Sequence, residues 1–169
     1  KKLKKTLGEP SYTIRQIRKE DNQKLAEIIR EVFIEYSAEK EGTVYSDPTT
    51  DNLQELFQVK NSTLWLAELN GEIMGCCGVY PTKGLPTGCI ELVKYYLHKK
   101  GRGLGLGKAL LEKCIESAKT LGFSKLYIES LPEFKEAVRI YKMQGFKTLE
   151  KPLTKFGHAG CSLWFLKCL

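Results

Sequence analysis

The sequence predicts a single α/β domain, a mixed sheet flanked by helices. Three observations carry this reading. Segments of alternating polar and apolar residues and segments with apolar offsets of three and four follow one another along the chain. An Asn-Gly pair joins two of the alternating segments into a hairpin. No internal repeat, low-complexity linker or composition break interrupts the 169 residues beyond a lysine-rich start. Residues 1–10 are therefore expected to be a basic, disordered tail and residues 11–169 the folded domain.

Each element has its own signal. "SYTIRQIR" (residues 11–18) alternates and reads as a strand. Asp21 or Asn22 can cap a helix whose apolar positions Leu25, Ile28, Ile29, Val32, Phe33 and Tyr36 form one face. A polar loop, "EKEGTVYSDPTT", precedes a short helix carrying Leu53, Leu56 and Phe57, with Thr50 or Asp51 as its cap. "STLWLAELNGEIMGCCGVY" reads as two strands turning at Asn70-Gly71, since both residues accept positive φ. After the Pro/Gly loop "PTKGLPTG" comes a strand from Cys89 to Leu97.

The next helix is expected to bury Leu104, Leu110, Leu111, Cys114, Ile115, Ala118 and Leu121, stopping at Gly122. "FSKLYIES" is a further strand. In "PEFKEAVRIYKMQGF", Pro132 suits a first helical turn, Phe134, Ala137, Val138 and Tyr141 share a face, and Gly145 ends the helix. "KTLEKPL" and "CSLWFLKCL" supply a closing strand pair.

Composition narrows the function classes. The formal net charge is +7, but Lys1, Lys2, Lys4 and Lys5 carry four of those charges, so the remainder is only mildly basic and no nucleic-acid partner is expected. No apolar run approaches the roughly 20 residues of a membrane span, and the start shows no signal-peptide core. No membrane partner is expected. The six cysteines form no C-x-x-C pair and only two histidines are present, so no metal site is expected. These thiols read as reduced core residues of a cytoplasmic protein.

The chemistry concentrates in "ELVKYYLHKKGRGLGLGKALL" (residues 91–111), where a strand gives way to a basic glycine loop and then to a helix start. The first amides of a helix have no internal partner, and the aligned peptide dipoles make that end positive. Glycines let a ligand approach the backbone closely, and Arg102 and Lys108 add charge. A phosphorylated ligand fits such a loop. It is not a P-loop: counting back from Gly107-Lys108, Arg102 stands where the first glycine belongs, and Ala109 replaces the Ser or Thr. The G-x-G-x-x-G dinucleotide fingerprint fails as well; from Gly105, its third glycine position falls on Leu110.

The pattern R-x-x-G-x-G does fit, at Arg102, Gly105 and Gly107. Here the sequence resembles the GNAT superfamily of N-acetyltransferases, and in its loop sequences the small bacterial members. "RGLGLGKALL" is close to the family's pyrophosphate motif, "AVRIYKMQGF" to its tyrosine helix, and "CIELVKYYL" to its cofactor strand. The resemblance implies a GNAT-like fold, with a mostly antiparallel central sheet, and acetyl-CoA as co-substrate. It implies that main-chain amides of Arg102, Gly103, Leu104, Gly105, Leu106, Gly107 and Lys108 cradle the diphosphate. The strand around Tyr96 and Leu97 is expected to splay from its neighbour, pair with the pantetheine arm and supply an oxyanion donor.

Acetyl transfer from a thioester needs a deprotonated amine, a donor for charge developing on the thioester oxygen, and a proton for the departing sulfur. Glu91 is the candidate base, because the histone-acetylating branch of the superfamily carries a catalytic Glu at the corresponding place. On a mostly buried strand its pKa is expected to rise. The same residue can equally form an ion pair with Lys94 or face solvent. Tyr141 is the candidate acid, at the position of the family tyrosine that hydrogen-bonds the CoA sulfur, and also reads as a core aromatic. One departure stands out: many members carry Asn seven residues before that tyrosine, whereas this chain has Phe134.

For the acceptor, Tyr36, Tyr45, Asp47 and His158 are the candidate lining residues. A small-molecule primary amine (amino acid, polyamine or drug-like amine) is expected, attacking directly in a ternary complex. The alternatives are a protein N-acetyltransferase and a non-catalytic CoA-binding sensor. A homodimer through the C-terminal strands is compatible with the pattern.

Overall fold

The computed structural model describes residues 11–169, so the basic segment 1–10 lies outside the described residues. Seven strands form one sheet: β1 (Tyr12–Gln16), β2 (Thr63–Leu69), β3 (Glu72–Tyr80), β4 (Cys89–Leu97), β5 (Lys125–Ser130), β6 (Lys147–Leu149) and β7 (Leu163–Cys168), in the order β1-β2-β3-β4-β5-β7-β6. Every pairing is antiparallel except β4 with β5. Helices α1 (Asn22–Glu35) and α2 (Leu53–Leu56) cover one face; α3 (Leu106–Thr120) and α4 (Lys135–Met143) cover the other.

The strands are apolar on both sides because both sides are covered. In β2, Leu64 and Leu66 point to the α1 face, while Trp65 and Ala67 point to the α3 face. The α1 layer buries Leu25, Ile29, Phe33, Leu53 and Phe57. The α3 layer buries Leu106, Leu110, Leu111, Cys114 and Ala118 against Ile90, Leu92, Leu126 and Phe165. At roughly 1.5–3 kcal/mol per fully buried large apolar side chain, these two layers hold the sheet between them.

The Asn70-Gly71 turn is present as expected, with both residues at positive φ (51° and 81°) and Leu69 facing Glu72. Gly122 and Gly145 end α3 and α4 at φ 91° and 87°. Elsewhere the boundaries differ from expectation. Leu104 is exposed, because α3 starts only at Leu106, after Gly105 turns the chain at φ 82°; Leu106 fills the core position instead. Leu121 at the other end is exposed too.

Pro132 lies in a turn ahead of α4. Phe134 is the non-helical residue before the helix, and it packs into the α1 layer while Tyr141 packs into the α3 layer. The two therefore do not share a face.

The helix caps also differ. Asp21 spends its carboxylate on the Arg18 amide (2.7 Å) and on Arg15 (2.8 and 2.9 Å) rather than on α1. The start of α2 is capped from a distance by Asn22, whose Oδ1 accepts from the Gln54 amide at 2.9 Å. Neither Thr50 nor Asp51 caps α2; Asp47 caps the 3₁₀ turn Pro48–Asp51 that precedes it. Four cysteines are buried, Cys161 is half-buried and Cys168 is exposed; all six are unpaired.

Candidate active site

Two departures from regular sheet geometry build the site. The first is the fork between β4 and β5. The two strands pair through only three positions, Cys89↔Lys125, Ile90↔Leu126 and Glu91↔Tyr127, and then separate. A cavity of about 320 Å³ opens between them, lined by β4 from Glu91 to Leu97, by β5 and by α4. The splay expected near Tyr96 and Leu97 thus begins just past Glu91.

The second is a bulge in β4. Gly78 faces Val93 and Cys76 faces Tyr96, so β4 carries an extra residue, and Lys94 sits at φ 57°. The bulge resets the alternation of side chains. Val93 and Lys94 both line a second cavity of about 290 Å³ on the α1 side, whereas Tyr95 and Leu97 turn to the α3 layer. Without the bulge Lys94 would point into apolar core.

The glycine loop closes one end of the fork. Gly103 and Gly105 have φ of 77° and 82°, and a Cβ on either would meet nothing within 4 Å. Their conformation demands glycine, and the space above them is open to a ligand. Gly107 differs: a Cβ there would come within 2.9 Å of the Tyr95 hydroxyl. The helical ladder begins with the Ala109 amide donating to the Gly105 carbonyl at 3.0 Å. The amides of Gly103 to Lys108 therefore lie ahead of it with no backbone acceptor among the described residues, the donor set a diphosphate requires. One expected member of the cradle, Arg102, is engaged elsewhere. The Arg102 amide donates to Lys99 at 3.3 Å, and its guanidinium bonds the Leu97 carbonyl (2.9 and 3.1 Å) and pairs with Glu35. Arg102 thus ties the end of β4 to α1 and stacks over Tyr36, with 5.2 Å to the ring centroid. The Lys108 side chain is exposed.

Glu91 stands where the two cavities meet, 6% exposed, with its Oε1 accepting from the Thr82 hydroxyl at 2.6 Å. Burial pushes its pKa up to about 7; the Thr82 hydrogen bond opposes this and the Glu129 charge adds to it. No carboxylate of the described residues lies within 4.0 Å of the Lys94 ammonium, so the ion pair considered from the sequence does not form. Burial lowers the pKa of Lys94, with Asp47 and Glu91 acting against the shift.

Tyr141 is buried at the fork wall, its ring 5.9 Å from Tyr95, 5.9 Å from Phe146 and 5.7 Å from Phe165. Burial raises its pKa well above the ordinary phenol value. Its hydroxyl makes no hydrogen bond among the described residues and borders the cavity. Phe134, where many family members carry Asn, meets Phe33 edge-on at 5.0 Å and contacts Tyr36 and Tyr96, giving the fork an aromatic wall.

Of the acceptor candidates, Asp47 and His158 come together: His158 Nε2 lies 3.1 Å from Asp47 Oδ2, and both line the second cavity. Burial raises Asp47, but hydrogen bonds from Thr49 and His158 outweigh it and hold the carboxyl below its usual range. Tyr36 lines the first cavity instead. Tyr45 lines neither cavity and packs against Phe33 at 6.0 Å. Sequence reasoning missed Lys94, Thr82, Glu129 and Phe156. The His158 amide donates to Glu129 at 2.9 Å, and Phe156 forms part of the second cavity's wall. Among the described residues no group of three or more His, Cys, Asp or Glu could hold a metal ion. No helix among them is long and apolar enough to cross a membrane.

Comparison with known proteins agrees with this geometry. The chain is 33% identical over 93% of its length to an uncharacterized N-acetyltransferase of Escherichia coli, YjgM, covering 95% of that protein. Its fold matches an acetyltransferase of the GNAT family from Staphylococcus aureus with a TM-score of 0.82 at 20% identity, over 94% of this chain and 99% of the other. It also matches yncA of Salmonella typhimurium, solved with its cofactor acetyl-CoA, with a TM-score of 0.71 at 21% identity over 93% of each chain. The model of the acetyltransferase (GNAT) family matches residues 23–146. With forked sheet, glycine cradle and sequence in agreement, the chain belongs to the GNAT family of acetyltransferases and is an acyltransferase.

Proposed function

We propose that the protein moves an acetyl group from acetyl-CoA to the primary amine of a small molecule, with both substrates held at once. The observation that carries this is the meeting of two cavities at Glu91, one running to the glycine loop and the other bounded by the His158 segment. Bound acetyl-CoA supplies the activated acetyl group. The amides from Gly103 to Lys108 bind its diphosphate, and the open edge of β4 near Tyr96 and Leu97 lines up its arm.

Glu91 takes the proton of the incoming ammonium, directly or through one water. A pKa of about 7 leaves it partly ionised at neutral pH, matched to that task. The Tyr141 hydroxyl, free of other partners, gives a proton to the departing sulfur. The aromatic wall of Phe33, Tyr96 and Phe134 keeps water from the reacting atoms.

Two measurements test this. Calorimetry should show CoA and acetyl-CoA binding, and release of free thiol from acetyl-CoA should depend on a primary amine drawn from amino acids, polyamines and drug-like amines. Binding without thiol release for any amine would favour a CoA sensor; no binding would overturn the reading.

A further inference from the structure

The acceptor cavity holds a charged group, Lys94, with no hydrogen-bond or ion-pair partner among the described residues, although the Asp47 and Glu91 charges act on it. Asp47 accepts from Thr49 and meets His158; Glu129 accepts from the Tyr127 hydroxyl and the His158 amide; Glu91 accepts from Thr82 through one oxygen. Lys94 is 6% exposed, and its ammonium donates no hydrogen bond to any described residue. It is not among the sealed unpartnered atoms, so it borders the cavity. An unpaired buried ammonium is destabilising, and replacing it with an apolar chain of the same length would remove that cost. The backbone adds a second cost. A non-glycine residue at φ 57° is unfavourable, and it is this bulge that turns Lys94 out of the apolar core into the cavity.

Glu91 and Lys94 therefore present opposite charges side by side. Neither the second oxygen of Glu91 nor the Lys94 ammonium has a hydrogen-bond partner among the described residues. The mouth adds positive charge: the Lys83 and Lys155 ammonium groups lie 4.5 and 5.4 Å from the ring centroid of Phe156, which lines the cavity and is half exposed. Leu56, Phe57, Tyr80 and Val93 supply the apolar part of the lining, beside the polar Asp47, Thr49, Thr82 and His158.

We propose that the acceptor is an amine that also carries a carboxylate, an amino-acid-like molecule whose anionic group is bound by Lys94 while its amine lies at the free oxygen of Glu91. This rests on the acyl-transfer reading above and narrows its substrate class. Polyamines and purely cationic amines are disfavoured, because they would place a second positive charge against Lys94. A carboxylate reaching Lys94 stabilises its protonated form, so binding takes up protons wherever that group is partly neutral beforehand.

The test compares common L-amino acids with their carboxamides and with the corresponding decarboxylated amines, following thiol release. The acids should be preferred by roughly 10- to 100-fold in kcat/KM, the range for a hydrogen bond to a charged group. Lys94→Met should reduce that preference to about threefold or less, and Lys94→Arg should retain part of it. Calorimetry of the CoA-loaded protein with the preferred acid, run in two buffers of different ionisation heat, should show a proton uptake that is smaller in Lys94→Met, where only the proton release from Glu91 remains.

Equal transfer to acids and amides, or a preference that survives Lys94→Met, would overturn the proposal and leave the acetyltransferase reading standing. If CoA binds but no amine releases thiol, the acyl-transfer reading fails. Calorimetry then decides the carboxylate site separately: heat from the acids that vanishes in Lys94→Met upholds it, and no heat overturns it.

Discussion

Replacing Glu91 with Gln should make the protein more stable, and increasingly so as the pH rises. In the folded protein burial holds the Glu91 carboxyl protonated up to about 7, whereas an ordinary glutamate releases its proton near 4.5. Folding thus takes up a proton between these two values. The sign follows: stability is fully present below pH 4.5 and is lost as the pH climbs through the folded value. At about 1.4 kcal/mol per pH unit, the loss comes to about 3 kcal/mol by pH 8. Gln cannot ionise and is spared it.

For a domain of this size 1 kcal/mol moves Tm by about 2–4 °C, and about 2.5 kcal/mol of the loss falls between pH 5 and pH 8, so the variant's advantage should widen by about 5–10 °C over that range. Thermal unfolding of both proteins across that range measures it directly. A difference in Tm that stays constant with pH would refute the raised carboxyl and, with it, the reason for choosing this residue as a base. In turnover, the same variant should be slower by about 10²- to 10⁴-fold, with its pH–rate profile displaced toward alkaline values.

Three other substitutions probe separate parts of the structure. Tyr141→Phe should lower kcat by about 10²-fold or more while leaving CoA affinity and Tm nearly unchanged, because the hydroxyl it removes has no partner in the fold; equal activity would remove Tyr141 from the chemistry. Gly105→Ala places a Cβ in open space but at φ 82°, so it should cost about 1–2 kcal/mol in unfolding and weaken CoA binding measured by calorimetry. Asp21→Ala strips Arg15 of a bidentate partner and the Arg18 amide of its acceptor, and should cost about 3–5 kcal/mol in denaturant unfolding while sparing CoA affinity. Since those contacts hold the Asp21 carboxyl below its usual range despite burial, the wild-type advantage should shrink as the pH falls through that lowered value.

Much of the framework was legible because it rests on local rules. The Asn70-Gly71 hairpin, the α1 stripe and the glycines ending α3 and α4 each follow from the conformation of a few neighbouring residues. The glycine turn ahead of α3 was legible for the same reason, and so was the raised pKa of Glu91, a carboxyl in an apolar strand. What escaped depends on residues far apart in the chain. Asn22 caps α2 from thirty-two positions away, and no local pattern announces it. Asp47 and His158 were named separately, but only the folded chain brings them together across 111 positions.

The bulge in β4 is the instructive case. "CIELVKYYL" does carry a clue, since Glu91 and Lys94 are an odd number of positions apart and cannot share a side of a regular strand. Read as a plain strand, the segment offered Lys94 only as a partner for Glu91. Phe134 and Tyr141 were assigned to one helical face by spacing alone, because nothing local marks where α4 begins.

The fork between β4 and β5 has a mechanical side. Three residue pairs are all the strand pairing that joins β1–β4 to the β5–β7–β6 half of the sheet. A molecule wedged between the two prongs touches both at once and braces a joint that the backbone secures only at its root. Whatever occupies the fork is then part of the scaffold.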